Sequence, residues 1–188
     1  MLNRRFLGAF ALGASLLASV PATARDYLQC VPFARAESGV EIRGNAKTWW
    51  AQAAGEYDRG QEPRKGAVMA FAGTRGMPLG HVAVVKKIIS DREILIDHAN
   101  WSPIHGRRGQ IERNVRVLDV SDKGDWSLVR VWYAPIGDLG LRANPVQGFI
   151  YADSDAKPDH RFSGGEPVWA QNDWKPGNGL DLVVASLR

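Results

Sequence analysis

The sequence predicts an α+β fold, on the evidence of its residue order and its composition. Two stretches with helical signals come first after residue 25, and about five short runs rich in β-branched residues follow, with turns between them. This order favours N-terminal helices packed against a mainly antiparallel sheet of about five to six strands. The chain is 45% hydrophobic and 23% charged, which is enough apolar material to bury a core.

The chain begins with the features of an export signal. Arg4 and Arg5 precede an apolar, uncharged run over residues 6–20, and residues 22–24 give the small-x-small pattern of a cleavage site. The apolar run is shorter than the about 20 residues that a membrane-spanning helix needs. We therefore expect residues 1–24 to be a signal peptide rather than a retained anchor. The mature protein is then periplasmic or secreted, and makes no membrane contact after cleavage.

The rest of the chain predicts one domain and an extension. Residues 25–151 carry the helical and strand-like patterns, whereas residues 152–188 are rich in Asp, Pro, Gly and Asn without periodicity and are expected to be flexible. The formal net charge is +4 and falls to +2 without Arg4 and Arg5. The basic residues are scattered, which favours an anionic partner such as a cell-wall polymer and does not indicate nucleic acid. The oligomeric state is left open.

Cys30 is the single cysteine of the chain. In an exported protein a lone thiol indicates an intermolecular bridge, a buried inert thiol or a reactive nucleophile. Pro32 suits the first turn of a helix and Gly39 suits its end, so Cys30 is predicted to lie at a helix N-terminus. The helix dipole and the free N–H groups there are expected to stabilise a thiolate and to lower its pKa, which favours the nucleophile.

A second helical stretch and then the strands follow. Asn45 is a suitable N-cap and Gly55 a suitable end for the second helix. The predicted strands are the runs "AVMAFAG", "GHVAVVKKII", "REILIDHANW", "NVRVLDV" and "WSLVRVWYAP".

The few histidines of the chain lie where they could assist a thiol. His81 opens the second predicted strand, and His98 and Asn100 lie at the end of the third, on one face because they are two residues apart. A thiol nucleophile needs a base within hydrogen-bonding reach, and the base needs a third group that fixes its tautomer. With Cys30 at a helix start, these residues form a candidate for nucleophilic catalysis.

A metal site is the competing interpretation. His81, Asp97, His98 and His105 could be imagined as zinc ligands, but neither HExxH nor CxxC spacing occurs in the sequence. We therefore predict no metal and no other cofactor, since Cys-His chemistry needs none.

Several motifs resemble one known family. The motifs "CVPFAR", "GNAKTWW", "GAVMAF", "GHVAVV" and "IDHANW" resemble the CHAP family, the cysteine- and histidine-dependent amidohydrolases and peptidases, and the resemblance runs over residues 27–151. It implies a papain-like α+β fold and hydrolysis of amide bonds in peptidoglycan. It also implies that Cys30 is the nucleophile and His81 the general base.

The third catalytic residue departs from the usual family pattern. Many members carry Glu with Asn two residues later, whereas this chain has His98 and Asn100 at those positions. A third histidine is what the related NlpC-type peptidases use, so we predict that His98 orients the base, with Asn100 as the second choice. Gln29, together with the backbone N–H of Cys30, is predicted to hold the oxyanion, and Trp101 to contact the substrate. A non-catalytic wall-binding module on the same fold is the alternative.

Overall fold

The computed structural model describes residues 27–152. The predicted signal peptide and, apart from Ala152, the predicted C-terminal extension lie outside the described residues. Within them, no helix combines the length and the apolar character needed to cross a membrane. The described chain has two short α-helices and eight strands: α1 Cys30–Ser38, α2 Trp49–Gln52, β1 Asp58–Gly60, β2 Val68–Phe71, β3 His81–Ser90, β4 Glu93–Ala99, β5 Ile111–Asp119, β6 Leu128–Tyr133, β7 Asp138–Leu139 and β8 Asn144–Tyr151.

The strands form one antiparallel sheet that closes on itself. Their order is β1-β8-β2-β3-β4-β5-β6-β7, and β8 pairs in addition with β6. The closing contact joins Leu128 to Pro145 and Val129 to Asn144. Six strands therefore make a closed barrel, and β1 and β7 add to its outside edges.

The predicted papain-like α+β fold, with N-terminal helices packed on a mainly antiparallel sheet, is wrong. The structure is mostly β, because a closed six-stranded barrel is its main element and the two helices are too short to form a layer. The second predicted helix shows the difference: α2 contains only four residues, preceded by a 3-10 turn over Ala46–Thr48. Local sequence patterns predicted strands but could not predict closure of the barrel. Closure depends on the pairing of β8 with β6, and no local pattern in either strand identifies its partner.

Two apolar clusters result from this architecture. The first fills the barrel and includes Met69, Phe71, Ile96 and Phe149. The second lies between the outside of the barrel and the helices, where α1 packs on β3 and β4 and Trp49 is fully buried. Alternation along β2 and β3 supplies both clusters, because successive strand residues face opposite sides of the sheet. One end of the barrel thereby carries the start of α1 on its outside and the start of β3 within its wall.

A bulge interrupts the pairing of β4 with β5. Ile96 pairs with Val115 and His98 with Glu112, so two residues of β5 lie opposite Asp97. Asn114 has a φ of 51°, and the Asp97 carboxylate accepts its backbone N–H at 2.7 Å. Because the bulge adds one residue, it reverses the alternation of β5 on its N-terminal side.

Gly80 allows the chain to enter β3 directly beside the α2 region. It has a φ of +69°, and a Cβ added there would lie 2.6 Å from the backbone nitrogen of Lys47. That nitrogen donates to the carbonyl of Leu79 at 2.8 Å. A side chain at position 80 would therefore separate these two segments next to His81.

We expect Gly80→Ala to destabilise the protein more than Gly137→Ala does. Gly137 also has a positive φ, of +62°, but an added Cβ there meets no atom within 4 Å. Both variants pay about 1–2 kcal/mol for a left-handed alanine, and Gly80→Ala adds about 1–3 kcal/mol for the clash. Urea unfolding of the two variants measures the difference. Equal losses would contradict the close packing of Lys47 on Gly80.

Candidate functional site

Cys30 is the first residue of α1, as the sequence predicts. Its N-terminal neighbour Gln29 is extended, with φ −90° and ψ 156°, and no side chain caps the helix start. Cys30 is 9% exposed, and burial raises the pKa of its thiol. The backbone N–H groups of Val82, Val31 and Cys30 itself act in the opposite direction. The expectation that the helix start lowers the thiol pKa is therefore corrected, because desolvation outweighs these N–H groups.

His81 and His98 form a buried imidazole pair. The Nε2 atom of His81 lies 3.1 Å from Nδ1 of His98, and the rings meet edge to face with an interplanar angle of 82°. His81 is 4% exposed and His98 is fully buried. Both lie in the barrel wall, at the beginning of β3 and near the end of β4. The structure thus brings the two residues together as the sequence-based argument from adjacent strands requires.

The surroundings of this pair keep both rings neutral. Burial, and then the positive charge of Arg108, lower the pKa of His81 to about 3. Burial, and then His81, lower the pKa of His98 well below its ordinary value. The resting site therefore holds a neutral thiol and neutral imidazoles rather than a preformed thiolate-imidazolium pair.

Trp101 forms a wall beside the imidazole pair. Its ring stacks on His98 with centroids 5.6 Å apart and lies 5.0 Å from His81, while its Nε1 donates to the carbonyl of Trp132 at 3.1 Å. Phe71 contacts His81 from the barrel interior. The aromatic neighbours fix the ring orientations, and Trp101 also lines the cavity described below.

Asn100 contacts Gln29 rather than the histidines. Its Nδ2 donates to Oε1 of Gln29 at 2.9 Å. This bond uses the oxygen of the Gln29 amide and leaves the amide NH2 for another acceptor. Asn100 has a φ of 66°, just after the end of β4, which turns the chain away from the strand. Of the two residues predicted to orient His81, the structure therefore places His98 against it and Asn100 against Gln29.

The predicted residues surround a single cavity of about 940 Å³. Arg108 and Arg142 also line it, and its described lining contains no Asp or Glu. Arg108 donates to the carbonyl of Trp101, and the guanidinium of Arg142 lies against Gly76. The predicted residues in the cavity wall are Gln29, Cys30, His81, Asn100 and Trp101, whereas His98 lies behind the wall.

Of the four residues considered as zinc ligands, only His81 and His98 are brought together. Asp97 receives a hydrogen bond from Arg113 at 2.9 Å, and His105 is exposed in the loop after β4. In the part of the chain that the structure describes, no three His, Cys, Asp or Glu side chains are arranged to hold a metal ion.

Sequence reasoning missed three charged residues at or near the site. Arg108 and Arg142 lie in loops without a motif, and only the fold places them at the cavity. Glu112 is fully buried behind His98. It was not included in the predicted strand "NVRVLDV", and simple alternation from Val115 would have placed it on the opposite face. The bulge at Asn114 places it on the inner face instead.

Comparison with known families supports the resemblance. The family model described as CHAP domain matches residues 21–100, so the predicted resemblance to this family is confirmed. The match includes Cys30, His81, His98 and Asn100, and ends before β5. No curated protein matches the chain significantly. CHAP domains are generally amide hydrolases related to peptidoglycan. The match therefore indicates amide hydrolysis as the kind of function and peptidoglycan as the kind of partner.

We expect His81→Ala to slow the alkylation of Cys30 by iodoacetamide about tenfold or more at neutral pH. Without a base the thiolate must form unaided, and burial raises the pKa of that thiol. The intact mass of the protein, followed over time, gives the rate. His105→Ala, which removes an exposed histidine outside the cavity, should react like the wild type. Equal rates in His81→Ala and wild type would exclude His81 as the proton acceptor.

Folding stability should also fall as the pH decreases below the ordinary pKa of histidine, near 6.5. Because the folded-state pKa of His81 is about 3, the unfolded chain binds a proton there that the folded chain does not. The contribution of the neutral His81 to the free energy of unfolding is fully present above about pH 6.5. It decreases toward pH 3, by about 2 kcal/mol between pH 6.5 and 5. Urea unfolding at both pH values should show a correspondingly weaker pH dependence in His81→Asn. An unchanged pH dependence in that variant would contradict the burial of a neutral His81.

Proposed function

We propose, with the CHAP domain match over residues 21–100 as the premise, that this chain is an exported cysteine amidohydrolase or endopeptidase that hydrolyses amide bonds in peptidoglycan. The observation that carries the proposal is the contact of 3.1 Å between His81 and His98 at a cavity that Cys30 also lines. A base held by a second imidazole, beside a single thiol at a helix start, is the arrangement that nucleophilic catalysis requires.

The first half of the reaction forms a thioester. Cys30 transfers its proton to His81 while the sulfur attacks the amide carbonyl, so a C–S bond forms and the carbonyl oxygen becomes an oxyanion. The backbone N–H of Cys30 and the NH2 of Gln29 donate to this oxyanion. His81 then gives its proton to the leaving amine as the C–N bond breaks.

The second half regenerates the thiol. Water loses a proton to His81 and attacks the thioester carbonyl, and collapse of the second oxyanion breaks the C–S bond. His81 returns the proton to sulfur, and the acid product leaves. The neutral resting state suits this sequence, because His81 must accept a proton in each half reaction.

Asn100 acts through Gln29 in this mechanism. Its hydrogen bond to Oε1 of Gln29, at 2.9 Å, directs the amide so that the NH2 group remains available as an oxyanion donor. This separates the two roles that the sequence left together: His98 orients the base, and Asn100 orients the oxyanion donor.

The cavity favours peptides with free carboxylates. Arg108 and Arg142 supply positive charge without an opposing carboxylate in the described lining. Leu79 and Leu141 are 56% and 88% exposed and provide apolar surface at the cavity. The stem peptides of peptidoglycan combine small apolar side chains with carboxylates, and so match both features.

A wall-binding module without catalysis is the second candidate. The observation in its favour is the burial of Cys30, which raises the thiol pKa and makes the free thiol less reactive. The candidates differ in one respect, since only the enzyme needs the sulfur.

Export remains part of the proposal and rests on the leader over residues 1–24; N-terminal sequencing of the periplasmic or secreted form tests it.

We expect Cys30→Ala to abolish the release of peptidoglycan fragments without abolishing binding to the wall. Mass spectrometry of purified peptidoglycan after digestion identifies the cleaved amide, and cosedimentation with intact sacculi measures binding. His105→Ala is the control and should release the wild-type fragments. Iodoacetamide should stop the wild-type reaction and EDTA should not. Full fragment release by Cys30→Ala would overturn the proposed mechanism, whereas binding with no release by the wild type would favour the wall-binding module.

We expect Arg142→Ala to raise KM about three- to tenfold with a smaller change in kcat, since Arg142 lines the cavity and is proposed to bind a substrate carboxylate rather than the reacting amide. Steady-state assays on fragments with a free and with an amidated carboxylate test the reason for the change. The effect should be small on the amidated fragment. Equal effects on both fragments would exclude recognition of that carboxylate.

A further inference from the structure

A buried carboxylate lies directly behind the imidazole pair. Glu112 on β5 pairs in register with His98 on β4, and both side chains are fully buried. The Oε1 atom of Glu112 lies 4.0 Å from Nε2 of His98. Neither residue is in the cavity wall, so Glu112 is out of reach of a substrate.

The hydrogen bonds of this region leave two atoms unused. Oε1 of Glu112 accepts the backbone N–H of Ser102 at 2.6 Å. Oε2 of Glu112 and Nε2 of His98 have no hydrogen-bond partner among the described residues. A buried polar atom without a partner is unfavourable, so two such atoms on adjacent side chains point to a contact between them. The distance of 4.0 Å between Oε1 of Glu112 and Nε2 of His98 is longer than a hydrogen bond, and a rotation of the Glu112 carboxylate that brings Oε2 toward Nε2 would give both atoms a partner.

The proton positions in the chain of groups depend on one another. To accept a proton from Cys30, His81 must present an unprotonated nitrogen, and since its Nε2 faces His98, that nitrogen is Nδ1. A neutral His81 then carries its proton on Nε2 and donates it to Nδ1 of His98. A neutral His98 must in turn carry its own proton on Nε2, which faces Glu112.

We propose that Glu112 is a positioning residue: its carboxylate accepts a hydrogen bond from Nε2–H of His98 and so fixes both histidines in the tautomers that leave Nδ1 of His81 free for the thiol of Cys30. The inference rests on the proposed thiol mechanism, but concerns proton positions that can be measured without any substrate. The residue acts through His98 and does not touch the reacting atoms.

The ionisation of Glu112 controls the arrangement. Burial raises the pKa of Glu112, and hydrogen bonds from Ser102 and from the backbone of Trp101, followed by the charge of Arg108 in the β4–β5 loop, counteract this effect. His98 is the titratable group that faces it from β4. A protonated Glu112 would donate to Nε2 of His98 and reverse both tautomers. Thiol reactivity is therefore expected to decrease at acidic pH as Glu112 takes up a proton.

Glu112→Gln is the decisive variant. If its amide oxygen keeps the bond from the Ser102 N–H, its NH2 takes the place of Oε2, the oxygen that turns toward Nε2 of His98 in the proposed contact. The shape is retained and the hydrogen-bond direction is reversed. Long-range ¹H–¹⁵N spectra of the imidazoles distinguish protonated Nδ1 from protonated Nε2. We expect both His81 and His98 to be protonated at Nε2 in the wild type and at Nδ1 in the variant.

Reactivity should follow the tautomers. Alkylation of Cys30 by iodoacetamide is expected to slow about tenfold in Glu112→Gln, and peptidoglycan hydrolysis about a hundredfold, within the range of general base catalysis. The acidic decrease of the alkylation rate should disappear in the variant. Glu93→Gln is the matched control, since Glu93 is also buried but binds Arg116 at 2.7 Å outside the site. It should lower the melting temperature and leave both tautomers unchanged.

The outcomes separate this inference from the proposed function. Wild-type spectra with His98 protonated at Nδ1 would overturn the role of Glu112 without the use of any variant, even if Glu112→Gln fails to fold. Unchanged tautomers and an unchanged alkylation rate in a folded Glu112→Gln would overturn it as well. If the spectra and the alkylation respond as expected while peptidoglycan remains intact, the positioning role stands and the proposed substrate is wrong.

Discussion

The contact between the imidazoles of His81 and His98, at 3.1 Å, is the constraint on which the site depends. It requires two adjacent strands with both rings on the inner side of a barrel wall, and it requires the removal of water from both rings. That desolvation lowers the pKa of His81 and so holds its ring neutral in the resting protein. The same burial affects the thiol of Cys30, so the site starts from neutral groups and relies on correct proton positions more than on stored charge.

Much of the local structure could be predicted from the sequence, because local signals determine it. The start of α1 at Cys30 follows from Pro32 in its first turn, and its end follows from Gly39, with φ 77°. The positions of β2 to β6 follow from runs of β-branched residues, whereas β1, β7 and β8 were not predicted. The closed barrel could not be predicted in this way, because it depends on the pairing of Val129 with Asn144, and the side chains of these residues carry no signal for that pairing. The papain-like arrangement came from the resemblance and did not describe this chain.

The candidate site likewise combines residues that local sequence patterns identify with residues that only the fold brings together. The motifs carried Cys30 and His81, and period-two alternation placed His98 on the inner face of β4. Alternation failed at Glu112, because the bulge at Asn114 shifts the side of the sheet on which it lies. The roles of His98 and Asn100 could not be separated on sequence grounds, since residues two apart share a face; only the left-handed turn after β4 directs Asn100 toward Gln29.

Closure by β8 has a consequence for the order in which the site is assembled. The match to the CHAP domain ends at residue 100, yet the wall that holds His98 is completed by β5, and the barrel closes only when β8 joins β2 to β6. These contacts connect distant parts of the chain, and such long-range pairings form late and slowly in folding. Before these pairings form, the chain holds Cys30 without the complete cavity wall and without the buried imidazole pair. Assembly of the barrel therefore delays completion of the candidate site until nearly all of the described chain is in place.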